Sequence, residues 1–229
     1  MSGPESGTPP GATPPEATPP DAPPPASPPP ATTWASAPAP TQVPGQAGLF
    51  YADVPNRIFA LILDAILVGI IGFIVSVIIW AIIGTPTNVT TVQDPSAPLG
   101  IRIDTSTNWL SVIVSAIIGV AISAGYYIYT WTRMRGTLGQ KALGMQVGNA
   151  FDGATLTTEQ AVKRWLALGG IFALAQFLNP LPLLGLLIGL ISLIWVIALL
   201  YTTATSPTKQ GLHDKYANSV VVKAARSVG

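Results

Sequence analysis

The segment Pro55–Phe73, PNRIFALILDAILVGIIGF, decides how the chain is read. It is apolar enough for a lipid bilayer, yet it carries Arg57 near its start and Asp64 two turns further on. Continued to Ile83, the apolar run from Ile58 covers about 26 residues, roughly 39 Å as a helix, which spans a bilayer with some tilt. Arg57, Ala60, Asp64, Val68, Ile71 and Val75 share one helical face at steps of three, four and seven. Asp64 lies about 10 Å along the axis from Arg57, and its side chain leans back toward the N-terminus. A carboxylate at the centre of a span costs about 2.5–3.5 kcal/mol, and less nearer the surface. Asp64 is therefore expected to face protein or a cavity and to find a donor, with Arg57 as the expected partner. Two readings follow: an ion or proton site, in which burial lets the carboxylate bind and release a proton, or a satisfied structural pair that pins this span to its neighbours.

The rest of the composition agrees with a membrane protein. The 229 residues are 49% hydrophobic and 9% charged, where soluble domains run near about 25% charged. The formal net charge of +1 gives no basic field for a nucleic-acid partner. The absence of cysteine excludes disulfides, thiolate metal sites and cysteine nucleophiles. No basic region precedes an early apolar run, so insertion is expected to use the mature spans rather than a cleaved leader.

Three further apolar segments follow: Leu110–Thr130, Trp165–Leu178 and Leu183–Thr203. The third is about 14 residues, short enough for a re-entrant piece. The loop charges decide against that. Arg133, Arg135, Lys141, Lys163 and Arg164 crowd one loop, and Lys209, Lys215, Lys223 and Arg226 follow the last span. The first interspan loop has only Arg102 against Asp94 and Asp104. By the positive-inside rule the basic loop and the C-terminus both face the cytoplasm, so an even number of crossings joins them. Segments three and four then form a hairpin turned at Asn179–Pro182 (NPLP), and the third span starts near Ala161 with Lys163 and Arg164 snorkelling to the headgroups. Trp80 and Trp109 flank the outer loop, while Trp131, Trp165 and Tyr201 mark inner ends.

Residues 1–48 form a separate block, with Thr-Pro-Pro repeats grading into Pro triplets. Such a segment lacks the apolar side chains that offset ordering entropy and is read as a disordered, semi-stiff tail. A Pro-binding protein partner is the alternative reading. Ser111, Ser115, Gly119 and Ser123 recur every fourth position on the second span, and Gly185 and Gly189 on the fourth. Small residues at that spacing let helices approach closely, within one bundle or in a homo-oligomer.

The cytoplasmic pieces carry the remaining motifs. In RMRGTLGQKALGMQVGNAFDGATLT (residues 133–157) Gly136 and Gly139 stand too close together, with no Lys-Ser/Thr pair, for a phosphate-binding loop. A short interfacial helix is expected at 138–143, short strands at 145–147 and 154–156 around the Asp152-Gly153 turn, and another strand at 219–222. Phe50 and Tyr51 are read as interfacial aromatics.

With these residues in view, the chain resembles the RDD family of small bacterial membrane proteins, named for one arginine and two aspartates. The resemblance covers about residues 50–223. Arg57 and Asp64 match the arginine and aspartate of the first span. GTLGQKALGMQV, with Lys141, looks like the family's Gly- and Lys-containing segment, and GLHDKYANSVVV looks like its closing His-Asp segment. That makes Asp214 the natural second aspartate and Asp152 the weaker candidate. Pro-rich N-terminal tails are frequent in actinobacterial members. The resemblance implies a polar cluster of Arg57, Asp64 and Asp214 at the cytoplasmic end, and it admits cation/proton exchange, which has been proposed for some members. A coupled transporter usually shows more than one ionisable group within its spans, and here, beyond the snorkelling Lys163 and Arg164, the last three spans hold no Asp, Glu, Lys, Arg or His. His213 beside Asp214 is read as a local partner rather than a metal ligand, because one histidine makes a poor metal site.

The expectation is an all-α membrane protein: a four-helix transmembrane bundle with a small cytoplasmic β/α fringe and a disordered Pro-rich tail. Residues 49–223 form its membrane domain and 224–229 a short C-terminal tail. It is multi-pass in the cytoplasmic membrane with both termini inside. No nucleophile–base constellation, metal set or cofactor motif suggests an enzyme. The function classes left are a structural or accessory membrane protein and a small cation/proton or solute transporter with Asp64 as coupling carboxylate. The partners expected are the lipid bilayer, a second copy of the chain, and a protein bound through the tail.

Overall fold

The computed structural model describes residues 49–224 and the isolated positions Gly3 and Val43. The Pro-rich block and the last five residues, with the tail and partner expectations placed on them, otherwise lie outside the described residues. The elements in chain order are β1 (Leu49–Tyr51), α1 (Val54–Ile83), β2 (Thr87–Gln93), β3 (Ile101–Thr107), α2 (Trp109–Arg133), α3 (Leu138–Ala142), β4 (Met145–Asn149), α4 (Thr158–Leu178), α5 (Pro182–Thr205), α6 (Leu212–Tyr216) and β5 (Ser219–Ala224).

Four helices, α1, α2, α4 and α5, are long and apolar enough to cross a membrane. Large apolar side chains cover their outward faces: Phe59, Ile66, Phe73, Leu186 and Ile194 are all exposed. Such a surface is unfavourable in water and is what acyl chains require, so the chain is a multi-pass membrane protein. The third span is a full 21-residue helix rather than a re-entrant piece. It begins before the apolar run because Thr157 and Gln160 form a capping box, each side chain bonding the other's backbone N–H. At the NPLP turn, Pro182 opens α5, where a missing N–H costs nothing.

The helices pack in the order α1, α2, α4, α5, while α1 and α5 barely touch. Asn108 closes one end of the bundle. Its side chain caps α2 at Ser111 N–H (3.2 Å) and donates to the Ile83 carbonyl (2.8 Å), and Ser111 Oγ donates to the Gly84 carbonyl (2.7 Å). The next residues form the β2–β3 hairpin, seven paired positions that are mostly exposed. That hairpin was not expected, although the Thr- and Val-rich run TNVTTVQ carries its signal.

At the opposite end, β1, β5 and β4 form an antiparallel sheet with β5 in the centre. Phe50 pairs with Lys223 and Val147 with Val221. Phe50 and Tyr51 thus belong to a strand rather than serving only as interfacial aromatics. Residues 154–156, expected as a strand, are not one. The chain turns tightly at Gly153, whose N–H donates to the Asn149 carbonyl (2.9 Å), and β4 takes β5 as its partner. The reason is packing: Val147 and Val221 are fully buried, and Leu156 reaches the same core from irregular backbone. That core, with Ala60, Trp131, Met145, Ala161 and Trp165, sits where the sheet meets the bundle.

The loop charges lead to the expectation that the sheet end is cytoplasmic, and a chain without cysteine allows a clean test. Thr91 on β2 and Lys141 on α3 are both exposed. A membrane-impermeant maleimide should label Thr91→Cys in intact cells and Lys141→Cys only after permeabilisation; the reverse pattern would invert the topology.

Candidate functional site

The sheet end holds a buried chain of charges. Arg57, in the first turn of α1, donates from Nε to the Ala52 carbonyl (3.0 Å), from Nη1 to Asp214 Oδ2 (2.6 Å) and from Nη2 to the Val221 carbonyl (3.5 Å). Arg164, in the second turn of α4, reaches Asp214 Oδ1 with Nη2 (2.8 Å) and donates from Nη1 to Ser219 Oγ (3.1 Å). Its guanidinium lies 4.8 Å from the centre of the Trp131 ring, a cation–π contact. Asp214 is fully buried between the two arginines and also accepts from Gly211 N–H (3.3 Å). Burial works against its ionisation, yet Arg164, His213 and Arg57 outweigh that and hold the carboxyl well below the usual range.

Asp64 solves its burial differently. Its Oδ1 accepts from Tyr126 Oη (2.6 Å) and from the backbone N–H of Gly139 (2.8 Å), and Tyr126 Oη accepts in turn from Leu138 N–H (3.1 Å). Gly139 is required at that point. A Cβ there would lie 2.9 Å from Asp64 Oδ1 and would collide with the Ala60 carbonyl. The short helix α3 begins with a Thr137–Gln140 capping box, which leaves the Leu138 N–H aimed at Tyr126 Oη and the Gly139 N–H aimed at the carboxylate.

A cavity of about 720 Å³ joins the two groups. It is lined by Arg57, Asp64, Arg164 and His213 at the sheet end, by apolar residues of α1, α2 and α4 along its middle, and by Gln176 and Asn179 toward the hairpin end. Its volume is that of a small-molecule site, about 300–1,000 Å³.

The model of the RDD family matches residues 51–218, about three quarters of the chain. The chain belongs to the RDD family. No curated protein and no solved structure matches it.

In this RDD-family protein the expected pairing of Arg57 with Asp64 is not formed. Arg57 turns back to Asp214 and to the carbonyls of Ala52, just after β1, and Val221, within β5, the direction in which helical side chains lean, and α3 brings a backbone N–H closer to Asp64 than the guanidinium comes. Arg164 was read as a snorkelling residue, but it is buried. The capping box starts α4 early and carries Arg164 inside, while Lys163 stays half-exposed and pairs with Glu159 at 2.5 Å. The Thr157-x-x-Gln160 pattern was the available signal. Lys141 is exposed in the last turn of α3, outside the network. Asp152 is exposed and accepts from Ala154 N–H (2.9 Å) within its turn. His213 is buried with Nε2 3.5 Å from Asp214 Oδ1, and its Nδ1 has no partner. Among the described residues no three His, Asp or Glu converge on a metal position.

Asp214→Asn leaves two buried guanidinium groups without their counter-ion. It should lower stability by about 3–5 kcal/mol, read as a fall in Tm in detergent. Burial pushes the His213 imidazole down to about 4 from its ordinary 6.5, against the pull of Asp214 and helped by Arg164 and Arg57. The unfolded chain then binds a proton in that interval that the folded chain refuses. Stability should therefore be full above pH 6.5 and decline as pH falls toward 4, and His213→Gln should flatten that decline in a Tm-against-pH series.

Proposed function

We propose that this RDD-family protein is a structural or accessory protein of the cytoplasmic membrane, with both termini inside. In this reading a charged lock couples a small cytoplasmic sheet to a transmembrane bundle. One observation carries it: Asp214 binds both Arg57 and Arg164, so α1, α4 and α6 meet on a single carboxylate. Asp64 is held by two neutral donors, which suits a fastening point between α1 and α3. The sheet face is then a fixed platform, presented to partners in the cytoplasm.

A second reading has its own support. Asp64 and Arg57 both line the cavity, as a cation/proton or solute transporter with Asp64 as coupling carboxylate would need. Asp64→Asn separates the two. The amide can still accept from Tyr126 and Gly139, so as a structural change it should lower Tm only modestly and leave ion movement unaltered. If the folded variant abolishes a pH-linked cation flux that the natural chain performs in vesicles, the transport reading replaces the structural one.

A further inference from the structure

The sheet of β1, β5 and β4 has two outer edges. On β4, Val147 and Asn149 turn their N–H groups away from β5, and nearby chain answers both. Val147 N–H donates to the Arg135 carbonyl (2.7 Å) and Asn149 N–H to the Ala154 carbonyl (2.8 Å). On β1, Ala52 N–H donates to the Val221 carbonyl (3.0 Å), so the backbone groups of Ala52 and Phe50 point toward β5. Leu49 and Tyr51 alternate with them and point outward. A row of outward backbone groups is a template for strand addition.

Among the described residues, one group from outside the sheet meets that row. Val43 N–H donates to the Leu49 carbonyl (3.0 Å), and both residues are half-buried. The five residues between them, PGQAG (44–48), open on Pro-Gly, the pair that suits a type II turn, and five is an ordinary length for a hairpin loop. With Val43 opposite Leu49, an antiparallel register puts Gln42 opposite Phe50 and Thr41 opposite Tyr51.

The prolines on either side fit that register and no neighbouring one. Thr41 and Val43 turn their N–H groups to β1, while positions 40, 42 and 44 turn away from it. Pro40 and Pro44, which have no N–H, both fall in the outward set, where the ladder loses nothing. Of the three outward positions only Gln42 keeps a donor, so the added strand offers little for a further chain to pair with. Thr41 and Val43 are strand formers. Their side chains fall on the face of Leu49, Tyr51 and Val222, opposite to the face that carries the Val147–Val221 core.

We propose that residues 41–43 add to β1 as a short antiparallel fourth strand, in the register Val43–Leu49 and Thr41–Tyr51, and that the flanking prolines blunt the new edge. The sheet then offers a partner its outward face and not an open row of backbone groups. This concerns the edge of the sheet alone and stands apart from both readings of the protein's role.

Hydrogen exchange on the full chain in detergent, resolved to single amides by mass spectrometry, tests the strand. Corrected for sequence-dependent rates, the Thr41 and Tyr51 amides should exchange at least about tenfold more slowly than the Gln42 amide. Thr41 and Gln42 exchanging alike would overturn the strand. Two proline variants test the register. Thr41→Pro removes a donor aimed at β1 and should speed Tyr51 exchange by about the same factor, tenfold. Gln42→Pro removes an outward donor and should leave Tyr51 slow. Equal effects of the two prolines on a folded chain would overturn the register. The comparison of amides in the natural chain needs no variant and decides the matter even if a proline variant folds poorly.

Discussion

Asp214 held between Arg57 and Arg164 is the interaction on which the sheet end of the molecule depends. Three pieces of chain distant in sequence converge there: the first turn of α1, the second turn of α4, and the short helix α6. None of these charges is tolerable alone, since each is largely removed from solvent. Together they largely satisfy one another: Arg57 also reaches the Ala52 and Val221 carbonyls and Arg164 the Ser219 hydroxyl of the central strand, while Arg164 Nε is left without an acceptor. The network therefore fixes more than a pair of helices. It sets where β5 lies, and with it the antiparallel sheet that β1 and β4 complete. Buried ionic groups are weak evidence for net stability, but removing one member leaves the others exposed to the full desolvation cost.

Asp64 shows a second way to keep an acid inside a span. It accepts from a phenol and a peptide N–H, neither of which carries charge. The peptide group is available because the first N–H groups of α3 have no intrahelical acceptor. Gly139 lets the backbone of α3 come against α1 closely enough to use it. Arg57 and Asp64 share a helix face, yet they belong to different circuits.

Between these circuits and the hairpin end, the bundle does not close on itself. Each helix packs on the next, but the first and last remain apart, and a narrow apolar slot persists along α1. In water such a slot would be filled by collapse. In a bilayer the hydrophobic drive between helices is absent, because lipid chains are as apolar as the side chains, so an open seam is tolerated.

The sequence by itself determined the membrane class, the four spans and the family. These depend on apolar runs, loop charges and short motifs, all local properties of the chain. Arg57, Asp64 and Asp214 could be singled out from it for the same reason. It did not determine which charge meets which. Loop charges moved the start of the third span back to near Ala161 but left Arg164 snorkelling to the surface, although the Thr157–Gln160 cap would have moved it inward. The partners of Asp64 were not legible either, because Tyr126 reads as an ordinary span aromatic and the N–H of Gly139 belongs to every residue's backbone. Only the tertiary structure decided these pairings. A buried charge takes the nearest satisfied geometry, and nearness between residues 75 or 157 positions apart is set by how helices and strands pack.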